Sequence, residues 1–174
     1  MSPPKNTDFS NPLEALKTCH ARIRVECEKL GQLSGRVAAK DFGEESRAAA
    51  TALMRYFDTA ARFHHADEED ELLPRMMAAA TLGRGSRLTR LVADIANEHR
   101  EMDRIWKELR AGLQEISAGE QIPLDPLVVD RFIKLYASHI TVEESNLFPL
   151  AEMLLSRNDL VEIGAAMAER RSST

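Results

Sequence analysis

Glycine and proline are scarce in this chain, eight and seven residues among 174, and aromatic residues make up only 5%. Turns are therefore too few to punctuate a sheet-rich fold, while Ala, Leu, Glu and Arg, which favour helices, are abundant. No apolar run approaches the roughly 20 residues that a membrane-crossing helix needs. The first ten residues, "MSPPKNTDFS", hold no apolar core of signal-peptide length, so the expectation is a cytoplasmic protein with no membrane partner. A long basic block is missing as well, and with a formal net charge of −5 the footprint of a nucleic-acid binder is absent. There is no Ser-His-Asp set, no phosphate loop and no Cys-Cys metal knuckle. Cys19 and Cys27 are the only cysteines. Eight helical residues would hold them about 12 Å apart, beyond the roughly 7 Å reach of a disulfide, so both are expected as free thiols. Cys27 falls on an apolar stripe and is expected in the core. Cys19, beside His20, reads either as core or as a soft metal ligand.

What is present is helical periodicity. A chain of 174 residues suits one domain. Asn11-Pro12 marks a helix start, and Leu13, Leu16, Ile23, Cys27 and Leu30 recur at spacings of three and four, with His20 filling the remaining place. A break is expected between Gly31 and Gly43. From Glu44 a second helix carries Leu53, Phe57, Ala60 and His64. A turn at Gly83 to Ser86, capped by Ser86, precedes a third helix whose seam runs Leu88, Leu91, Ile95, His99, Met102, Trp106, Leu109, Leu113 and Ile116. Asp125-Pro126 caps a fourth, with Val128, Phe132, Leu135, His139 and Val142 on its seam, and a shorter helix is predicted from about Arg157 to Arg170. The expected fold is all-α, an up-down-up-down four-helix bundle with a short additional C-terminal helix. Its layout is a flexible N-terminus over residues 1–10, the bundle over 11–155, and a helix and tail over 156–174.

One polar pattern occurs twice. His64 to Pro74 reads "HHADEEDELLP", and His139 to Pro149 reads "HITVEESNLFP". Each helix seam thus holds one histidine, and at about 1.5 Å per residue His20, His64, His99 and His139 fall at one height in an antiparallel bundle. Four buried imidazoles, with carboxylates one turn further along two helices, would cost several kcal/mol unless something satisfied them, and a metal centre does so directly. A glutamate four residues after a histidine lies only about 40° around the helix, so His64 with Glu68 and His139 with Glu143 are chelating pairs. Glu69 and Glu144 sit about 140° away. They are expected to act around the site or face solvent, with Glu144 the first alternative ligand and Glu69 the second. Pro74 and Pro149, ten residues past each histidine, are expected to free the carbonyl of Asp70 or Ser145 and bend the helix.

The doubled H-x-x-x-E-E-x-x-L-[LF]-P motif, the isolated His20 and the "NEH" of Asn97 to His99 resemble the hemerythrin-like family of histidine and glutamate (HHE) cation-binding domains, over roughly residues 11 to 155. The resemblance implies a bundle holding two non-haem irons, bridged by two carboxylates and an oxygen atom (oxo, hydroxo or water). Here they would be bound by His20, His64, Glu68, His99, His139 and Glu143. It departs from the family's oxygen carriers at Asp103, where they have a histidine one turn after the first of the third helix. His65, where some members place a carboxylate ligand, is a candidate fifth imidazole. That donor set would leave one position open on a pair of six-coordinate irons, and imidazole with carboxylate suits iron better than thiolate-preferring metals.

The function implied is binding of a small ligand such as dioxygen or nitric oxide, for storage, delivery or sensing, behind an apolar wall that includes Phe57, Ile95, Trp106 and Phe132. A redox enzyme removing peroxide or nitric oxide is the alternative, with Asp103 as a carboxylate able to move protons. An iron-responsive interaction module, ordered only with metal, is the third.

Overall fold

A computed structural model describes residues 8–80 and 85–172, and among them there is helix but no strand. The first helix, α1 (Pro12–Ala38), starts where Asn11 accepts a hydrogen bond from the Glu14 amide and Pro12 occupies the first turn. It runs through Gly31 and Gly35, so the break expected there is displaced to the end of the helix. Burial of Leu30, Leu33 and Val37 outweighs the cost of about 1 kcal/mol per helical glycine. The helix closes in a Schellman turn: Asp41 N–H donates to Arg36 O, and Lys40 N–H to Val37 O, with Lys40 left-handed at φ 64°.

The second run begins as α2 (Glu44–Asp58) and is interrupted at Thr59. Its hydroxyl donates to the Arg55 carbonyl at 2.6 Å and its amide reaches only to Tyr56 O, so α2 stops there and α3 (Ala60–Ala66) starts afresh. A π turn (Asp67–Leu72) follows, then α4 (Leu73–Ala79). The third run is α5 (Gly85–Ala118), closed by the same Schellman turn with Gly119 at φ 101°. The fourth is α6 (Pro126–Val142), capped by the Asp125 carboxylate, then a second π turn (Glu143–Leu147) and α7 (Phe148–Leu154). Ser156 and Asp159 cap each other's amides at the start of α8 (Arg157–Ser172). The turn expected at Gly83 to Ser86 and most of the flexible stretch expected over residues 1–10 lie outside the described residues or their described side chains.

The helices form a bundle in which α1 packs on α2 and α6, α5 packs on α2 and α6, and α8 lies against α1 and the first π turn. Two apolar clusters fill it. One gathers Ile23, Leu30, Leu53, Phe57, Met102, Leu109, Phe132 and Tyr136. The other gathers Leu13, Leu16, Leu72, Met76, Ile95, Leu147, Phe148 and, from α8, Ile163 and Met167. Along each run the chain passes from one cluster to the other at or just after its histidine. Among the described residues no helix is long and apolar enough to cross a membrane.

Candidate metal centre

Between the two clusters lies a polar layer. His20 on α1, His64 on α3, His99 on α5, His139 on α6, and Glu68 and Glu143 in the first two positions of the two π turns are all at most 2% exposed. The prolines explain the π turns. Pro74 has no N–H for the Asp70 carbonyl and Pro149 none for Ser145, and each ring crowds that carbonyl. The backbone widens instead of only bending: the Leu73 amide donates to Glu68 O and the Phe148 amide to Glu143 O, five residues back. Both π turns begin at or beside the glutamate that faces the layer.

Two groups of donors result, His20, His64, Glu68 and Glu143 in one and Glu68, His99, His139 and Glu143 in the other, with the donor atoms of each within 4.8 Å of one another. The carboxylates belong to both. Glu68 presents Oε1 to His64 Nε2 at 3.5 Å and Oε2 to His99 Nε2 at 3.3 Å. Glu143 presents Oε2 to His20 Nε2 at 3.0 Å and Oε1 to His139 Nε2 at 3.1 Å. Adjacent ligands on an octahedral cation with bonds of about 2.1 Å would be separated by about 3 Å, so this spacing suits donors gathered around cations.

Hydrogen bonding within the protein leaves this layer incomplete. His20 Nε2, both ring nitrogens of His64 and all four carboxylate oxygens of Glu68 and Glu143 are buried with no hydrogen-bond partner. Such groups are expensive, and a cation is what satisfies inward-facing imidazole nitrogens and carboxylates at once. The outer nitrogens of three rings are engaged. His20 Nδ1–H donates to Glu144 at 2.9 Å, His99 Nδ1–H to Glu69 at 2.6 Å and His139 Nδ1–H to Glu98 at 2.7 Å. A carboxylate on Nδ1 fixes the tautomer that turns the Nε2 lone pair inward and raises its basicity.

The second glutamate of each motif therefore serves a histidine on a neighbouring helix, the role around the site expected for Glu69 and Glu144, and neither belongs to the two donor groups. Glu98 was missed: it stands in the quoted "NEH", but helical periodicity does not show that it reaches α6. Tyr136 was missed too, although it precedes His139 by three residues on the same face.

Charge in the layer is divided unevenly. Burial pushes Glu68 well above the usual carboxylate range, helped by the facing Glu143. Burial also pushes Glu143 upward, but the His139 and His20 imidazoles that face its two oxygens outweigh it and hold the group low. His139 is lowered by burial yet ends raised to about 9, because the Glu143 carboxylate faces its Nε2 and Glu98 accepts from its Nδ1. His64 and His65 fall well below the ordinary imidazole value through burial and the neighbouring rings. A cation bound here would compete with protons for Glu68 and His139.

His65 lies beside the layer and outside both donor groups. Its ring stacks on His99 with centroids 4.0 Å apart, and its Nε2 is 3.3 Å from the Tyr136 hydroxyl. A cleft with room for about one water, near 10 Å³, reaches it between Tyr136, Trp106, Met102, Arg62 and the exposed Asp103. Phe57, Phe132 and Trp106 pack together on that side, and Phe148 stacks on His20 on the other. Cys27 is buried in the apolar cluster. Cys19 is outside both donor groups, its thiol pushed up by burial; both cysteines are free.

An uncharacterized protein of Haemophilus influenzae is 26% identical over 171 residues, covering 98% of this chain and 96% of its own length. Residues 11–151 match the hemerythrin HHE cation-binding domain, a span that includes every residue of the polar layer. The chain belongs to the hemerythrin family of HHE cation-binding proteins.

Proposed function

We propose that this is a non-haem di-iron protein of hemerythrin type, binding dioxygen or nitric oxide at an open iron position for storage, delivery or sensing. The observation that carries the reading is the sharing of Glu68 and Glu143, each with one oxygen in each donor group. Two carboxylates so placed are suited to bridge two ions. His20 and His64 would hold one iron, and His99 and His139, with His65 as the additional imidazole, the other. Imidazole and carboxylate without thiolate favour iron over copper(I) or thiolate-bound zinc.

A pair of ferrous ions held by these residues would supply reversible coordination of a diatomic ligand. The chain's own part is to orient and to exclude. Glu69, Glu98 and Glu144 hold three imidazoles in one tautomer, and Phe57, Phe132, Ile95 and Trp106 keep water from the interior. Residues 11–155 would form this unit as an up-down-up-down four-helix bundle, a reading supported by the chain's alternation between the two clusters. Residues 156–174 would add a helix and tail, and the free thiols suit a cytoplasmic setting.

A second reading, removal of peroxide or nitric oxide, is favoured by the cleft: exposed Asp103 stands at it and His65 lines it, a path along which a proton could move. Elemental analysis of purified protein, followed by visible spectra of the reduced sample before and after oxygen, tests both. About two irons per chain and a charge-transfer band that appears with oxygen and fades on its removal support the binding protein. Two irons that oxidise without a reversible band favour the enzyme, and protein without iron removes both.

A further inference from the structure

Asp67 immediately precedes Glu68, opens the first π turn and is completely buried. A buried carboxylate needs full compensation. Both of its oxygens are taken from the other end of the chain, Oδ1 by Arg170 Nη1 and Oδ2 by Arg171 Nη2, each at 2.5 Å. Arg170 also donates to Asp70 at 3.0 Å, so one guanidinium straddles the π turn.

Arg171 is itself fixed. Its Nη1 donates to the Met167 carbonyl, and its guanidinium lies over Phe9 at 5.1 Å and Phe63 at 5.9 Å. The helix that carries both arginines is seated closely: a Cβ on Gly164 would stand 2.1 Å from the Phe9 carbonyl oxygen, while Ile163 and Met167 are buried in the second apolar cluster. Glu68, in turn, is one of the two carboxylates common to both donor groups.

We infer that α8 is a positioning element of the metal centre: Arg170 and Arg171 hold Asp67, and through it the π turn that aims Glu68 at both histidine pairs. The inference rests on the metal-binding reading. Thermodynamic linkage makes it reciprocal, so a cation that draws Glu68 into place also tightens the seating of α8. The C-terminal helix thereby reports occupancy of a site to which it contributes no ligand.

The test uses full-length protein and Co²⁺, whose visible bands report ligand geometry. Asp67→Asn keeps the shape and the arginines, Arg171→Met removes one guanidinium, Arg171→Lys restores the charge, and Leu109→Ala destabilises the far apolar cluster as a control. Asp67→Asn and Arg171→Met are expected to weaken Co²⁺ binding by about 10- to 100-fold, the range typical of groups that orient ligands, and to shift the visible bands. Arg171→Lys should recover part of the loss, and Leu109→Ala should lower Tm without moving affinity or spectrum. In the unmodified protein, amide exchange across α8 should slow on Co²⁺ loading. If Arg171→Met does not fold, Asp67→Asn carries the same test. Unmodified protein that binds Co²⁺ while Asp67→Asn binds it equally well, with α8 exchange indifferent to metal, overturns the positioning role alone. Unmodified protein that binds no Co²⁺ overturns the metal reading and this inference with it.

Discussion

The two copies of the motif make the same inner face and support it differently. Both place a histidine and, four residues later, a glutamate in the polar layer, and both widen into a π turn ahead of a proline. The position before the glutamate, however, is Asp67 in the first copy, held by two arginines of α8, and Val142 in the second, partly buried against the apolar cluster. The residue after the histidine is His65 in one and the fully buried Ile140 in the other. The difference teaches which positions the layer dictates. Histidine, glutamate and proline repeat because donors and backbone widening are needed on both sides, whereas the outward positions follow whichever helix lies behind them.

The sharpest break comes from the shared donors. Glu68→Ala or Glu143→Ala is expected to lower iron well below two per chain by elemental analysis, whereas Glu120→Ala, in the exposed loop after α5, should leave it unchanged. Full retention in both site variants would show that neither repeated glutamate is a bridge, and loss in only one would show that the two are not equivalent. Next in size are the orienting carboxylates. Glu69→Gln on His99 and Glu144→Gln on His20 should each weaken Co²⁺ affinity by about 10- to 100-fold in equilibrium titration, and by similar factors if the copies are equivalent.

Acidity separates the two glutamates in another way. His139, raised to about 9, and Glu68, raised by burial, both hold protons that a cation must displace, so Co²⁺ affinity should fall as pH is lowered through and below about 9. In protein stripped of metal the sign for His139 is that of a raised imidazole: its contribution to stability is complete below pH 6.5 and lost as pH rises through about 9. Thermal melts across that window should show the loss in stripped protein and not in loaded protein. The smallest effect lies away from the site, where α1 and α5 end in the same turn with Lys40 and Gly119 at the left-handed position. Lys40→Gly should stabilise the fold by up to about 1 kcal/mol in a urea titration, and Gly119→Lys should destabilise it by a similar amount.

The helical runs were legible because seam residues such as Leu16, Ile23 and Leu113 recur with the helical period and are all buried. The histidine layer was legible because polar residues at seam positions conflict with burial and demand a reason. Thr59 was not, since a threonine inside a periodic stretch gives no sign of whether its hydroxyl will take a carbonyl. The π turns were half legible: proline announced a disturbed carbonyl, but whether the chain bends or widens depends on what the glutamate must face across the bundle. Glu98 to His139 and Arg171 to Asp67 join residues far apart in the chain, and no local period encodes such pairs.

The division of the interior into two apolar clusters by one polar layer has a further consequence, for alignment. Sliding any of the four runs by a single turn, about 5.4 Å, would set an imidazole against leucine and isoleucine and a leucine against carboxylates. An unbroken apolar seam would tolerate such slippage far better. The layer thus fixes the axial register of the bundle, and the sequence that recruits a cation is also what tells each helix how far along its neighbours to stop.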